Sequence, residues 1–190
     1  MRKISLPATN TVSIPIPLGG SGKADENGEV YLGGIGPDEI STLGTARENG
    51  MHIIWSTVCL EKKLEDTITD FFFGKTNSPT RRRNVFVNEV LQSSSFQFSF
   101  KKSLINTITN ETEVLKGKDS SRLQGFLKKI MTWRNAFAHG TLKFDTKDGA
   151  LLCYFSGGHQ TIILNEEFWD EVESVFKKCT EYVDKIDTAL

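Results

Sequence analysis

The residues LQGFLKKIMTWRNAFAHG, at positions 123–140, contain the clearest helical pattern in the chain. Apolar side chains recur at the spacing of an amphipathic α-helix, and Gly140 is of the residue type that most often ends a helix. Near that end lie Arg134, Asn135 and His139. A permanent cation thus lies close to a side chain that exchanges a proton near neutral pH. The pattern indicates a small acid/base site at the end of a helix.

Length and composition favour one domain with a hydrophobic core. The chain has 190 residues, of which 38% are hydrophobic and 13 are Phe. Domains of this size usually enclose a single core. The formal net charge is −1, so no global basic field attracts nucleic acid, although a local basic patch stays open.

Cysteine usage and the N-terminal residues favour a soluble cytoplasmic protein. Cys59, Cys153 and Cys179 are an odd number of cysteines at wide spacing, which is typical of reduced intracellular thiols. No apolar run reaches the roughly 18 residues of a membrane span. Arg2 and Lys3 are not followed by the apolar segment of a secretory signal. We therefore expect a cytoplasmic protein with no membrane contact.

Residues 1–37 differ in composition from the rest of the chain. Four of the five prolines lie there, and two of them restrict residues 12–18 to an edge strand or an extended arm. Residues 19–23, GGSGK, resemble part of a phosphate-binding loop, but Ala24 stands where Ser or Thr would hold the metal. We interpret residues 19–23 as a flexible turn, and residues 1–37 as an extended N-terminal arm in which short strands can form.

Residues 38–190 follow the pattern of a mainly α domain. The spacing of apolar residues predicts three or four helices, then a small β insert at about residues 142–164, and then one more helix. Gly44 and Gly50 weaken the first helical pattern, because glycine lowers helix stability. We predict a mainly α helical bundle with a β-hairpin or meander insert.

Short signals mark the ends of several elements. Ser121 and Gln124 have the spacing of a capping box at the start of the helix that carries Arg134. The dipeptide at residues 148–149, Asp-Gly, is a hairpin signal within the β insert. Asn165 can cap the last helix.

Helix geometry limits how the candidate site can be assembled. On an ideal helix His139 shares a face with Asn135, which could orient the imidazole, whereas Arg134 lies about 140° from His139. The two meet only if the helix relaxes at Gly140, if Arg134 folds back, or if a second copy of the helix packs across a two-fold axis. Such a pair suits RNA cleavage by attack of a ribose 2′-hydroxyl, with His139 moving protons and Arg134 contacting the phosphate.

Other groupings give weaker signals. No Cys, His or carboxylate cluster has metal-ligand spacing, so we predict neither a metal nor a cofactor. Arg81, Arg82 and Arg83 could contact RNA phosphates, although a solvated surface run is commoner. Trp133 and Phe137 are interpreted as core or dimer contacts rather than platforms for base stacking.

The sequence at residues 134–140, RNAFAHG, resembles the hallmark of the HEPN superfamily, named for higher eukaryotes and prokaryotes nucleotide-binding. In that hallmark four to six residues separate an Arg, often followed directly by a polar residue, from a His. The resemblance extends to LEKKLEDTI at residues 60–68 and to FSFKKSLI at residues 98–105. It covers about residues 45–190, and the arm and the strands lie outside the family's bundle.

The resemblance implies a metal-independent endoribonuclease that forms a homodimer through the motif helix. Arg134 and His139 would be catalytic, and Asn135 would support them. Family members commonly act in toxin–antitoxin or phage-defence systems, so RNA and an antitoxin or regulatory protein are the implied partners. One subfamily carries a Tyr two residues after the His, which its partner modifies. This chain has Thr141 there, so that regulation is not implied.

Two further interpretations stay open. Glu61 and Glu65 could touch the motif across the bundle and support it. Arg134 and His139 could instead only stabilise helix ends, where cations meet the helix dipole favourably, or pair with Glu61 or Asp66. The alternative function is a non-catalytic HEPN module that binds RNA, a nucleotide or a partner protein.

Overall fold

The computed structural model describes residue 3, the backbone of residues 22–24 and 30–32, and residues 36–76, 78 and 80–190. Within these residues the chain forms five α-helices, one π-helical segment and two antiparallel sheets. The fold is mainly α with a small β insert, which confirms the predicted class. Among the described helices, none has both the length and the apolar character that crossing a membrane requires.

The smaller sheet lies in the predicted N-terminal arm. Strand β1 (Gly22–Ala24) pairs antiparallel with β2 (Val30–Leu32). Interpreting all of residues 19–23 as a turn was therefore wrong, because the backbone of Gly22 and Lys23 pairs with the second strand. Residues 12–18 and 19–21 lie outside the described residues. Lys3 forms an ion pair with Glu48 at 2.6 Å.

The helices account for most of the described chain. They are α1 (Pro37–Phe73), α2 (Arg81–Val85) with its π-helical continuation (Phe86–Leu91), α3 (Phe98–Thr112), α4 (Lys118–His139) and α5 (Glu166–Ala189). Helix α1 begins at Pro37, the last residue of the predicted arm, and continues unbroken past both interior glycines. Tertiary packing of its apolar face outweighs the helix cost of glycine, which is about 1 kcal/mol per residue.

Helix α4 starts before the predicted capping box. It begins at Lys118 after Gly117, whose φ of 54° makes a sharp entry into the helix. Ser121 already lies in the first turn, and its hydroxyl donates to the carbonyl of Gly117 at 3.3 Å. The capping-box prediction is wrong for that reason. The predicted end is confirmed, because α4 ends at His139 and Gly140 follows it.

The β insert is a three-stranded antiparallel meander between α4 and α5. Its strands are β3 (Thr141–Asp145), β4 (Gly149–Phe155) and β5 (His159–Ile163). Gly149 has a φ of 76° at the β3–β4 turn, which confirms the hairpin signal. Asn165 caps α5 by accepting a hydrogen bond from the backbone N–H of Phe168 at 2.9 Å, as predicted.

One hydrophobic core lies where α1, α3, α4 and α5 pack together. Its fully buried side chains include Ile53, Leu64, Leu127, Trp169 and Phe176. Burying a side chain of this size stabilises the fold by about 1.5–3 kcal/mol. Helix α4 packs against α1, α3 and α5, and this packing leaves one face of α4 open to solvent.

Candidate active site

The apolar residues at this end of helix α4 are buried, and the polar residues of the motif are exposed. Trp133 and Ala136 are buried, at 6% and 1% exposure. Arg134, Asn135 and His139 are exposed. The three predicted site residues therefore lie at the surface, where they are accessible to a ligand.

Arg134 and Asn135 form a pair on this surface. Nη1 of Arg134 donates to Oδ1 of Asn135 at 3.0 Å. We expected Asn135 to orient His139, but within the described part of the chain its side chain has Arg134 as its partner instead. The other N–H groups of the guanidinium stay available for a ligand, since Arg carries five donors.

The end of α4 stays helical, so the motif does not rearrange there. The N–H of Gly140 bonds the carbonyl of Ala136 at 2.7 Å, which continues the helical hydrogen-bond pattern. Arg134 and His139 therefore leave the helix about 140° apart, whereas Asn135 and His139 are only about 40° apart. Of the three routes to convergence, relaxation of the helix end is not observed.

Gly140 has a packing role in addition to ending the helix. A Cβ atom at this position would lie 2.4 Å from the carbonyl oxygen of Ala136 and 3.0 Å from that of Cys153. Backbone atoms cannot yield as a flexible side chain can. Glycine thus lets the helix end pack directly on β4.

Helices α1 and α4 come close together at Gly50. A Cβ atom on Gly50 would lie 2.3 Å from Cδ1 of Phe137. The Phe137 ring also packs near Phe168 and Trp169, at centroid distances of 6.4 and 6.1 Å. Phe137 is therefore a core contact, as predicted. The sequence showed only the helix-weakening property of Gly50, because its contact partner is distant along the chain.

An open groove of about 390 Å³ lies beside Arg134, between α1, the start of α3 and α4. Its lining residues are Thr57, Glu61, Gln97, Phe98, Ser99, Met131, Arg134 and Asn135. Glu61, which was expected to reach the motif, shares this groove with Arg134 and Asn135. His139 does not line it.

Lys101 lies under the groove and joins two glutamates. Its Nζ bonds Oε1 of Glu61 at 2.6 Å and Oε1 of Glu65 at 2.7 Å. The side chains of Lys101 and Glu65 are 5% and 8% exposed, and that of Glu61 is 30% exposed. Glu65 therefore binds Lys101 and does not line the groove. We had considered that it could touch the motif.

The ion pairs keep Lys101 charged although it is buried. Burial by itself lowers the pKa of Lys101, but hydrogen bonds and charges from Glu61 and Glu65 outweigh burial and raise the pKa above its ordinary 10.5. Lys101 was not among the predicted site residues. The i, i+4 spacing of Glu61 and Glu65 on one helix face was the available signal, because it points two carboxylates at one partner.

The arginine run lies apart from the groove. Arg83 bonds the carboxylate of Asp70 and donates to the carbonyl of Gly74 at 2.7 Å. It thus fastens α2 to the end of α1, and this role differs from the predicted phosphate contact. Arg81 and Arg82 are exposed. Asp70 lies nine residues beyond Glu61 on α1, about 14 Å along the helix axis.

The other two histidines lie on different elements from the motif. His52 is half-buried on α1, and His159 is exposed on β5 with its ring 5.7 Å from that of Phe155. Among the described residues, no three His, Cys, Asp or Glu side chains are grouped so that they could hold a metal ion.

Comparison with known proteins adds nothing to this geometry. No protein-family model matches the chain, and no curated protein or solved structure matches it. The HEPN resemblance at residues 134–140 therefore stays a prediction, and a function has to be argued from the residues of the site itself.

Proposed function

We propose that this protein is an endoribonuclease of the HEPN type, active as a homodimer and independent of metal ions. The proposal is carried by one observation. Arg134, Asn135 and His139 are exposed together at the end of α4, and Arg134 lines a groove beside them. These are the residue types that contact a phosphate and move a proton.

The chemistry proposed is internal transfer at a phosphodiester. A base removes the proton of the ribose 2′-hydroxyl, the 2′-oxygen forms a bond to phosphorus, and the bond from phosphorus to the 5′-oxygen breaks. His139 takes the first proton or supplies the one that the leaving 5′-oxygen needs. Arg134 stabilises the charge on the phosphate oxygens, and Asn135 holds the guanidinium in place. The products carry a 2′,3′-cyclic phosphate and a 5′-hydroxyl.

The homodimer is proposed because one helix directs Arg134 and His139 about 140° apart. A second copy on the open face of α4 would bring Arg134 of one protomer near His139 of its partner. Ala138 is exposed on that face, between Arg134 and His139 around the helix. Such a small side chain allows the helix axes to approach to about 8–10 Å.

The first experiment tests cleavage. Purified protein is incubated with mixed-sequence RNA and a chelator, and the product ends are identified by mass spectrometry. We expect cyclic phosphate ends, and we expect His139→Ala to lower the rate by about 100-fold or more. His159→Ala removes an exposed histidine away from the motif and should leave the rate unchanged. Cleavage that needs added metal, or that is unaffected in His139→Ala, contradicts the proposal.

The second experiment tests the dimer. Ala138→Arg places a long charged side chain on the open face of α4, so we expect a monomer in analytical ultracentrifugation and loss of RNA cleavage. Ser103→Arg adds the same charge at an exposed position of α3 and should preserve both properties. A fully active Ala138→Arg monomer would exclude the dimeric site.

The cellular role proposed is that of a toxin or phage-defence effector, restrained by an antitoxin or regulatory protein. Expression should then depress growth, and the His139→Ala variant should be harmless at the same protein level. Equal growth inhibition by both proteins would contradict this role.

A second candidate is a non-catalytic module that binds RNA, a nucleotide or a partner protein. It is favoured by the observation that His139 does not line the groove that contains Arg134 and Asn135. RNA binding by a verified wild-type dimer, without turnover in any tested RNA, would select this function over the ribonuclease.

A further inference from the structure

The groove beside Arg134 has room for more than a phosphate. Its volume of about 390 Å³ lies within the range of small-molecule sites, which begins near 300 Å³. Phe98 and Met131 supply apolar surface, whereas Arg134 and Asn135 lie on the α4 side. A planar base could therefore occupy the groove while the adjoining phosphate contacts Arg134.

The α1 wall of the groove presents hydrogen-bond acceptors. Thr57 donates its hydroxyl proton to the carbonyl of Ile53 at 2.8 Å, so its oxygen has only acceptor capacity left for a ligand. Glu61 lies one turn further along the same face, and Oε1 is bound to Lys101. Within the described residues, Oε2 of Glu61 has no hydrogen-bond partner. A ligand edge that meets this wall must therefore supply donors.

Guanine is the RNA base that fits such a wall. Its Watson–Crick edge has two adjacent donors, N1–H and N2–H. The same edge of adenine has one donor beside one acceptor, that of cytosine has one donor beside two acceptors, and that of uracil has one donor between two acceptors. An acceptor directed at a carboxylate is repelled and loses its hydrogen bond with water, which costs binding energy.

We propose that the groove binds a guanine base next to the scissile phosphate, with Glu61 as the specificity-determining acceptor and Lys101 as its positioning residue. The inference rests on the proposed action on RNA. Lys101 is buried, carries a positive charge and also bonds Glu65 at 2.7 Å. It thereby holds the carboxylate of Glu61 in one orientation, as partner groups behind a binding residue generally do.

Two measurements test this proposal. The first compares cleavage of RNA oligonucleotides that differ only in the base next to the cut. The second measures binding of GMP, AMP, CMP and UMP to the uncut wild-type protein by calorimetry. In both, we expect a guanine preference of about tenfold or more, the usual effect of hydrogen bonds to a charged group.

The diagnostic variant is Glu61→Gln, whose amide presents one acceptor and one donor. It should remove most of the guanine preference in both measurements, because the values for guanine should fall more than those for the other three bases. Glu111→Gln makes the same replacement at an exposed position of α3 and should keep the preference. Lys101→Met, measured below its unfolding temperature, should also reduce the preference for guanine over adenine in cleavage and in binding. A purely structural role of Lys101 would leave this preference unchanged.

The possible outcomes test the guanine site separately from the proposed ribonuclease activity. Cleavage without base preference, or a preference that survives in Glu61→Gln, overturns the guanine site and leaves the nuclease standing. An equal loss on all four bases assigns Glu61 to a ribose contact or to folding, and it also overturns the proposal. Selective binding of GMP without RNA cleavage supports the guanine site and overturns the nuclease.

Discussion

The ring of Phe137 packs directly on the α-carbon of Gly50, where an added Cβ atom would lie 2.3 Å from Cδ1 of the ring. This contact sets how closely α4 approaches α1. Phe168 and Trp169 also pack near the ring, at centroid distances of 6.4 and 6.1 Å, so a methyl group added to Gly50 would have to displace a ring that other core side chains contact. The close spacing of α1 and α4, the two helices that border the groove, thus depends on the absence of a methyl group at position 50.

Replacing Gly50 with Ala should lower the free energy of unfolding by about 1–3 kcal/mol, the usual cost of overpacking a core. Gly44 lies on the same helix with no atom within 4 Å of an added Cβ. Gly44→Ala should therefore raise the free energy of unfolding by about 0.5–1 kcal/mol. Urea denaturation measures both changes. A stabilised Gly50→Ala variant would disprove the close contact.

Mixing two inactive variants should restore cleavage if Arg134 and His139 act across a dimer. In a heterodimer of Arg134→Ala and His139→Ala, one of the two sites keeps an intact Arg and an intact His. Half of a randomly mixed population consists of heterodimers, so activity should recover to about a quarter of the wild-type value. The variants are refolded together with different tags, and the tags verify heterodimer formation. No recovery in verified heterodimers would place the pair within one chain.

Removing Lys101 should destabilise the fold because it leaves Glu65, which is 8% exposed, without its main partner. We expect Lys101→Met to cost about 3 kcal/mol at neutral pH, the usual effect of breaking a buried ion pair. Lys116 pairs with Glu113 at 2.6 Å on the surface, where its side chain is 72% exposed. Lys116→Met should cost less than about 0.5 kcal/mol. Equal effects would contradict a buried ion pair at Lys101.

The Lys101 effect should also depend on pH in a defined direction. The folded-state pKa of Lys101 is raised above 10.5, so its stabilisation is fully present below pH 10.5 and is lost as the pH rises through the raised value. The stability difference between wild type and Lys101→Met should therefore shrink in alkaline solution. Thermal unfolding of both proteins from pH 7 to pH 11 measures this change. A difference that grows with pH would contradict the assignment.

Cys179 should resist alkylation in the folded protein. Burial raises the pKa of its thiol from 9.0 to about 12, so the reactive thiolate is about one part in 10⁴ at pH 8. Cys59 and Cys153 are only partly buried and should react with iodoacetamide first. Peptide mass spectrometry before and after unfolding in urea locates the label. Early modification of Cys179 in folded protein would contradict its burial.

Much of the fold follows from local sequence signals. Gly140 ends a helix, Asn165 caps one, and Gly149 turns a hairpin, as the patterns predicted. These outcomes depend on residues within a few positions of one another. The start of α4 differs from the predicted one. Gly117, at a positive φ, directs the chain into the helix, which begins three residues before the first residue of the capping pattern.

The parts that could not be predicted depend on partners distant in sequence. The sequence shows a run of three arginines, but only the fold pairs Arg83 with Asp70. It shows Glu61 and Glu65, but not that Lys101 lies between them. The exposure of the motif could be predicted from its position on the helix. The groove beside it could not, because predicting it requires the relative positions of three helices. Contacts of this kind are set by tertiary packing, which local patterns do not encode.

Gly140 approaches β4 so closely that an added Cβ atom would lie 3.0 Å from the carbonyl oxygen of Cys153, and this has a consequence for protein engineering. The seven-residue motif cannot be transferred as an isolated segment, because its last residue packs against a strand that follows it in the chain. A graft onto another helical scaffold should carry the chain at least from Trp133 through Phe155.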